Sequence, residues 1–171
     1  MIRFWMVVCG ILGFSTLVMA ESKNLDILGT YDDWTAYVYQ DQNGKTCYMA
    51  TEPKKSAGKY KVRDDVFLFV THHLAEKEFD IVNVAAGYTY QKGSKPSFTV
   101  DKNKAITLVS HADTAWAKDS ATDQKLITQM KKGTTAVLKG TSARGTLTTD
   151  TFSMKGFSRA YHEIQKACGR E

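Results

Sequence analysis

Hydrophobic and polar residues alternate at period two along most of the chain beyond a short apolar leader. Trp34, Ala36 and Val38 interleave with Thr35, Tyr37 and Tyr39, which predicts a strand with one face inward. The turn residues of "DQNG" follow, and "KTCYMAT" returns as a second strand, so the stretch predicts a β-hairpin. After the polar linker "EPKKSAGKYKVRDD", the run "VFLFV" is apolar throughout and predicts a strand buried on both faces. Alternation resumes in "EFDIVNVAAGY", with Phe79 and Ile81 set against Val82 and Val84. "SFTV" and "AITLV" flank "DKNK" as a further hairpin.

Only two segments carry a helical pattern. In "SATDQKLITQMKKG", Ser120 can cap the start and Asp123 sits in the first turn. Leu126, Ile127 and Met130 make one apolar face, and Lys131-Lys132-Gly133 supplies a C-terminal ending. In "SRAYHEIQKACG", Tyr161, Ile164 and Cys168 recur at helical spacing, which puts the cysteine on the buried stripe, and Gly169 is the stop.

The stretch "KGTSARGTLTTDTF", residues 139–152, holds hydroxyls, two glycines and Arg144. A phosphate-gripping loop would run into a helix whose N-terminus faces the anion. Threonine-rich strand follows here instead, so "SARG" is a hairpin turn. Leu147 is odd-numbered while Phe152 and Met154 are even, so the inward face is expected to switch at a bulge near Thr149 and Asp150. The elements together predict a mainly β, single-domain antiparallel β-sandwich with two short α-helices.

Composition changes this picture at the N-terminus. "MIRFWMVVCGILGFSTLVMA" has Arg3 as its only charge, an apolar run from Phe4, and small residues before Glu21. This is the layout of a secretory signal peptide, cleaved between Ala20 and Glu21. The run falls short of the roughly 20 apolar residues that a membrane span needs. Residues 1–20 are therefore read as leader, and residues 21–171 as one exported domain with no integral membrane anchor after cleavage. The periplasm is its expected location, with outer-membrane association or secretion beyond it left open.

Export makes the cysteine count informative. Cys9 leaves with the leader, and Cys47 and Cys168 remain in an oxidising compartment. A disulfide between them closes a long loop, for which the chain-entropy model gives about 4 to 5 kcal/mol; two free buried thiols are the alternative. The formal charge of +5, reduced by one when Arg3 leaves, is mildly basic. No dense basic stripe with stacking aromatics accompanies it, so nucleic acid is not an expected partner.

The segments "DDWTAYVYQDQNGKTCYMATEPKK", "DVFLFVTHHLAEK", "AAGYTYQKGS", "DTAWAKDSATDQKLITQMKKG" and "KGTSARGTLTTDTFSMKGF", with a final Cys168, resemble in their order the invasion-associated locus B family. These are exported proteins of Gram-negative bacteria, named for host-cell invasion, and the resemblance covers nearly all of residues 21–171. Many relatives carry another cysteine on the first strand. Here that run reads Tyr37-Val38-Tyr39, which leaves Cys47 to pair with Cys168. Relatives often have Thr-His-Arg-Pro where this chain has His73 and Leu74.

Candidate chemistry is sparse. His72 and His73 are neighbours, and adjacent strand residues point to opposite faces, so they do not share a metal. Ser110, His111 and Asp113 have the residue types of a triad, but triads are assembled by the fold and not by adjacency. No Gly-x-Ser-x-Gly turn is present. The reading is accordingly not an enzyme, with no metal or cofactor implied, and a periplasmic hydrolase using His111 is the alternative. Trp34 and Trp116 are expected in the core, whereas Tyr37 and Tyr39 share the opposite face and are the expected exposed pair. Lys54, Lys55, Lys59 and Lys61 in the linker offer a cationic contact, or form a mobile solvated loop. The function these features imply is that of a non-catalytic exported envelope protein. Its partner would be an envelope or host-surface protein, or an anionic envelope component.

Overall fold

The structure, a computed structural model, describes residues 24–170; the expected cleavage between Ala20 and Glu21 lies outside the described residues. Two antiparallel sheets face each other. One contains seven strands: β1 (Asn24–Tyr31), β2 (Trp34–Asp41), β3 (Gly44–Thr51), β5 (Phe67–His73), β6 (Glu78–Ala85), β10 (Thr114–Trp116) and β9 (Val109–His111), adjacent in that order. The other runs β4 (Lys55–Gly58), β12 (Leu147–Ser153), β11 (Thr135–Thr141), β7 (Ser97–Val100) and β8 (Ile106–Thr107). Helix α1 spans Ser120–Lys132 and helix α2 spans Phe157–Ala167.

Period-two alternation builds the core. Trp34 and Ala36 of β2, Met49 of β3, Leu68 and Val70 of β5, and Val82 and Val84 of β6 turn inward. They meet Phe98 and Val100 of β7, Ala136 and Leu138 of β11, and Phe152 of β12. The indole N–H of Trp34 donates to the Ser153 carbonyl at 3.0 Å, tying the sheets at one end. Trp34 also meets Phe157 edge to face, with ring centroids 5.0 Å apart. Helix α2 thus lies against the inner face of the larger sheet, where Phe157, Ala160, Tyr161 and Ile164 are buried. Each large side chain so buried contributes about 1.5 to 3 kcal/mol.

The disulfide joins Cys47 to Cys168, with Cα atoms 6.1 Å apart and a sequence separation of 121. It fastens the end of α2 to the inward face of β3. The Lys45 ammonium donates to the Ala167 carbonyl beside it.

Several expectations change in three dimensions. "VFLFV" is not buried on both faces: Leu68 and Val70 enter the core, while Phe67 and Phe69 lie half-buried on the outside. Helix α1 is capped by Asp119 and not Ser120, because the Asp119 carboxylate accepts from the Thr122 N–H at 2.8 Å. Trp116 is half-buried on the outer face; its small neighbours Ala115 and Ala117 fill the inward positions. The linker is also partly strand, since β4 pairs with β12 from Thr148↔Gly58 to Thr151↔Lys55.

The hairpin at "SARG" forms as expected, but no bulge interrupts it. Pairing of β11 with β12 runs without a shift from Thr135↔Ser153 to Thr141↔Leu147. Thr148, Asp150 and Phe152 all point inward, and Leu147 is left 73% exposed. The expected switch fails because the apolar residue does not claim the inward place here: a carboxylate takes it.

Candidate functional site

Asp150 is inside because Arg63 is. The guanidinium grips the carboxylate with two parallel hydrogen bonds, Nη1 to Oδ1 at 2.8 Å and Nη2 to Oδ2 at 2.7 Å. Its Nε donates to the Ala86 carbonyl at 2.7 Å. Burial alone would make Arg63 easier to deprotonate, but the hydrogen bonds and charge of Asp150 outweigh it and hold the cation more firmly. The Tyr88 ring lies 4.8 Å from the guanidinium carbon, and the Tyr88 hydroxyl is hydrogen-bonded to that of Thr148 at 2.7 Å.

This pair anchors the linker, which is therefore not a free loop. Strand β4 pins one end and Arg63 the other, so residues 59–62 form an arch between fixed points. The Asp64 N–H to Gly87 carbonyl bond, 3.1 Å, secures the outgoing chain. Opposite the arch stands the β11–β12 turn. Its Gly145 N–H donates to the Ser142 carbonyl at 2.8 Å, and the Ala143 N–H donates to the Thr89 carbonyl at 2.7 Å. Arch and turn enclose a cleft of about 740 Å³ whose lining includes Lys59, Tyr60, Lys61 and Arg144.

The four linker lysines thus separate. Lys54 reaches the Asp33 carboxylate at 2.5 Å. Lys55 lies on β4, and only Lys59 and Lys61 line the cleft. Arg144 joins them from the turn, and sequence reasoning treats that residue only as part of a hydroxyl-rich loop.

A second surface is the outer face of the seven-stranded sheet. Tyr37 stacks on Tyr48 with ring centroids 4.8 Å apart and planes 13° from parallel. Tyr39 meets Tyr48 at 6.3 Å, Tyr48 meets Phe69 at 6.3 Å, and Phe69 meets Phe67 at 5.7 Å. Tyr37 and Tyr39 are consequently half-buried by their aromatic neighbours, where the sequence suggests a simply exposed pair. Thr46, Thr71, Asn83 and Thr114 lie among the rings, and His73 stands at one end. Leu25 and Ile27, opposite Tyr39 and Tyr37 on β1, are exposed and extend the face to the sheet edge. Both helices lie on the other side of the sheet, so no described element covers it.

The histidines are placed apart. His72 is fully buried, and its Nδ1 accepts from the Asp80 N–H at 3.0 Å. Burial favours the neutral ring and lowers its pKa. The Asp80 carboxylate receives the Tyr161 hydroxyl and, at 2.6 Å, the Gln124 amide. This internal knot holds α1 and α2 to β6. His73 faces the other way, with Nδ1 3.2 Å from the Thr46 hydroxyl.

Ser110, His111 and Asp113 do not converge. The Ser110 hydroxyl donates to the Ser94 carbonyl at 3.4 Å, the Asp113 carboxylate accepts from the Thr114 hydroxyl at 3.1 Å, and His111 is exposed on edge strand β9. Among the described residues no hydrogen bond joins the three. No described helix is long and apolar enough to cross a membrane.

No curated protein and no solved structure matched the chain. A family model described as "Invasion associated locus B (IalB) protein" matches residues 34–165. That span runs from the core tryptophan Trp34 to the last turns of α2, and so takes in the cleft and most of the aromatic face. The chain belongs to the invasion-associated locus B family.

Proposed function

We propose that this family member is a non-catalytic envelope protein that works by surface contact, its outer aromatic face meeting an envelope or host-surface protein. The observation that carries the reading is the uncovered face itself, where Tyr37, Tyr39, Tyr48, Phe67 and Phe69 form a connected set of rings. Protein interfaces have centres depleted of charge and enriched in aromatics, with polar rims. Between Tyr39 and Trp116 the face carries hydroxyls, an amide and the His73 imidazole but no carboxylate or ammonium, while Asp41, Glu52, Lys54 and Glu78 stand around it. Its partner is accordingly a protein with an apolar, uncharged face of its own.

A photo-crosslinking residue at Tyr39 in the exported protein tests this. The captured partner is then purified and its binding measured directly. Tyr37→Ser combined with Phe69→Ser should weaken that binding by at least about tenfold, as loss of aromatic anchors does. Unchanged binding by the double variant would overturn the reading, as would capture only of a second copy of the chain. The alternative, a periplasmic hydrolase using His111, requires the reverse: loss of function on His111→Ala with the aromatic face intact.

A further inference from the structure

We propose that the cleft between the arch and the β11–β12 turn binds an acidic saccharide. The site lies at the end of the smaller sheet, and the inference is independent of the aromatic face.

The first support is charge. Lys59, Lys61 and Arg144 line the cleft, and none forms a salt bridge with any described residue. Asp64 is the opposing charge in the lining, and Arg63 is already neutralised by Asp150. A positive balance therefore remains for a ligand. Arg144 presents a planar fork that matches a carboxylate, and the two lysines act as point charges beside it.

The second support is the rest of the lining. Tyr60 is 38% exposed, with the Arg63 guanidinium 5.5 Å from its ring, and Val62 is exposed next to it. A sugar ring has an apolar C–H face suited to an aromatic side chain and hydroxyls suited to Ser142, Thr89 and Thr146 around the same cleft. A bare inorganic anion would leave Tyr60 and Val62 unused. At about 740 Å³ the cleft falls within the usual range for small-ligand sites.

The third support is preorganisation. The arch is held by Arg63 and β4, and the turn by its own backbone bonds and by Thr89. The backbone that carries the three cations is therefore already ordered, so a ligand need not pay for folding the arch or the turn.

Titration calorimetry on the full exported protein tests the site, with tri-galacturonic acid as probe and neutral galactotriose, inorganic phosphate and tri-glutamate as comparisons. The acidic trimer should bind saturably and more weakly as salt rises, with the neutral trimer at least about tenfold weaker. Combined Lys59→Ser, Lys61→Ser and Arg144→Ser should abolish that binding with thermal unfolding unchanged, because all three are surface residues. Tyr60→Ser should weaken the acidic trimer severalfold. The proposal is overturned if phosphate or tri-glutamate binds as well as the acidic trimer, if the triple variant binds like the parent, or if nothing binds. The Tyr37→Ser, Phe69→Ser protein should bind the trimer normally, which separates this result from failure of the aromatic-face reading.

Discussion

Arg63 and Asp150 meet inside the sandwich through two parallel hydrogen bonds of 2.8 and 2.7 Å, their side chains only 4% and 0% exposed. Removing one partner strands a buried charge, which costs about 3 to 5 kcal/mol. Asp150→Ala should therefore lower stability by that amount in urea unfolding. Replacing the pair together, as Arg63→Met with Asp150→Leu, should recover most of the loss, since an apolar pair of similar volume is often neutral or better. The double variant should still free the arch, and trypsin should then cut at Lys59 and Lys61 faster than in the parent. A double variant as unstable as the single one would show that the pair is not the source of the cost.

The same pair marks the limit of what the sequence reveals. Alternation at Trp34, Ala36, Val82 and Val84 is legible because each apolar residue favours the inside. So is the Cys47–Cys168 bond, once Cys9 is set aside with the expected leader and helical spacing puts Cys168 on the buried stripe. Asp150 escapes such a reading because its burial depends on an arginine far away in the chain, and no local pattern carries that partner. A charged residue in phase with Phe152 and Met154 is the available signal: an inward carboxylate demands a cation, and Arg63 lies in the linker. Phe67 and Phe69 look like core residues for the opposite reason. Apolar character does not distinguish a core from an aromatic outer face, so the candidate aromatic site is visible in the sequence only as Tyr37 and Tyr39.

The Cys47–Cys168 bond closes a loop of 121 positions. In the chain-entropy model the bond restricts the unfolded chain and contributes about 4 to 5 kcal/mol. Reduction should lower the urea midpoint with a loss of about 2 to 5 kcal/mol, the range found for native bonds in small secreted domains. The release should be felt first at α2, whose end the bond fastens. Amide exchange in residues 157–167 should accelerate more than in β11. Equal acceleration in both would mean that the bond acts only on global stability.

Gly156 caps α2 with φ +91°, and a Cβ there would lie 1.8 Å from the Tyr31 carbonyl oxygen. Neither strand β1 nor the helix can yield without opening the packing of Trp34 on Phe157. Gly156→Ala should cost about 2 to 5 kcal/mol, combining left-handed backbone strain with a clash against main chain. Gly145 provides the control, with φ +79° but nothing within 4 Å of its would-be Cβ. Gly145→Ala should cost only about 1 kcal/mol, the conformational part alone. Similar losses for both in thermal or urea unfolding would remove the close approach to Tyr31 as the cause.

Asp123 in the first turn of α1 accepts the Val82 N–H at 2.9 Å while only 8% exposed. Burial, reinforced by the Asp80 and Asp119 carboxylates and opposed by the Val82 bond, raises its pKa from 3.8 to about 6. Folding therefore favours the protonated carboxyl. Stability from the neutral form is complete below pH 3.8 and is lost as pH rises through about 6, so at neutral pH the ionised group works against the fold. A side-chain amide in its place would keep an acceptor for the Val82 N–H and carry no charge. Asp123→Asn should thus stabilise the protein at pH 8 by about 1 to 3 kcal/mol, with the gain shrinking towards zero near pH 4. His72 contributes the opposite slope, because its lowered pKa makes the unfolded chain bind the extra proton as pH falls below 6.5. That slope is common to parent and variant, so it cancels to first order in their difference. Urea unfolding of both proteins at pH 4, 6 and 8 measures the difference, and a gain that stays constant across the series would rule out Asp123 ionisation as its source.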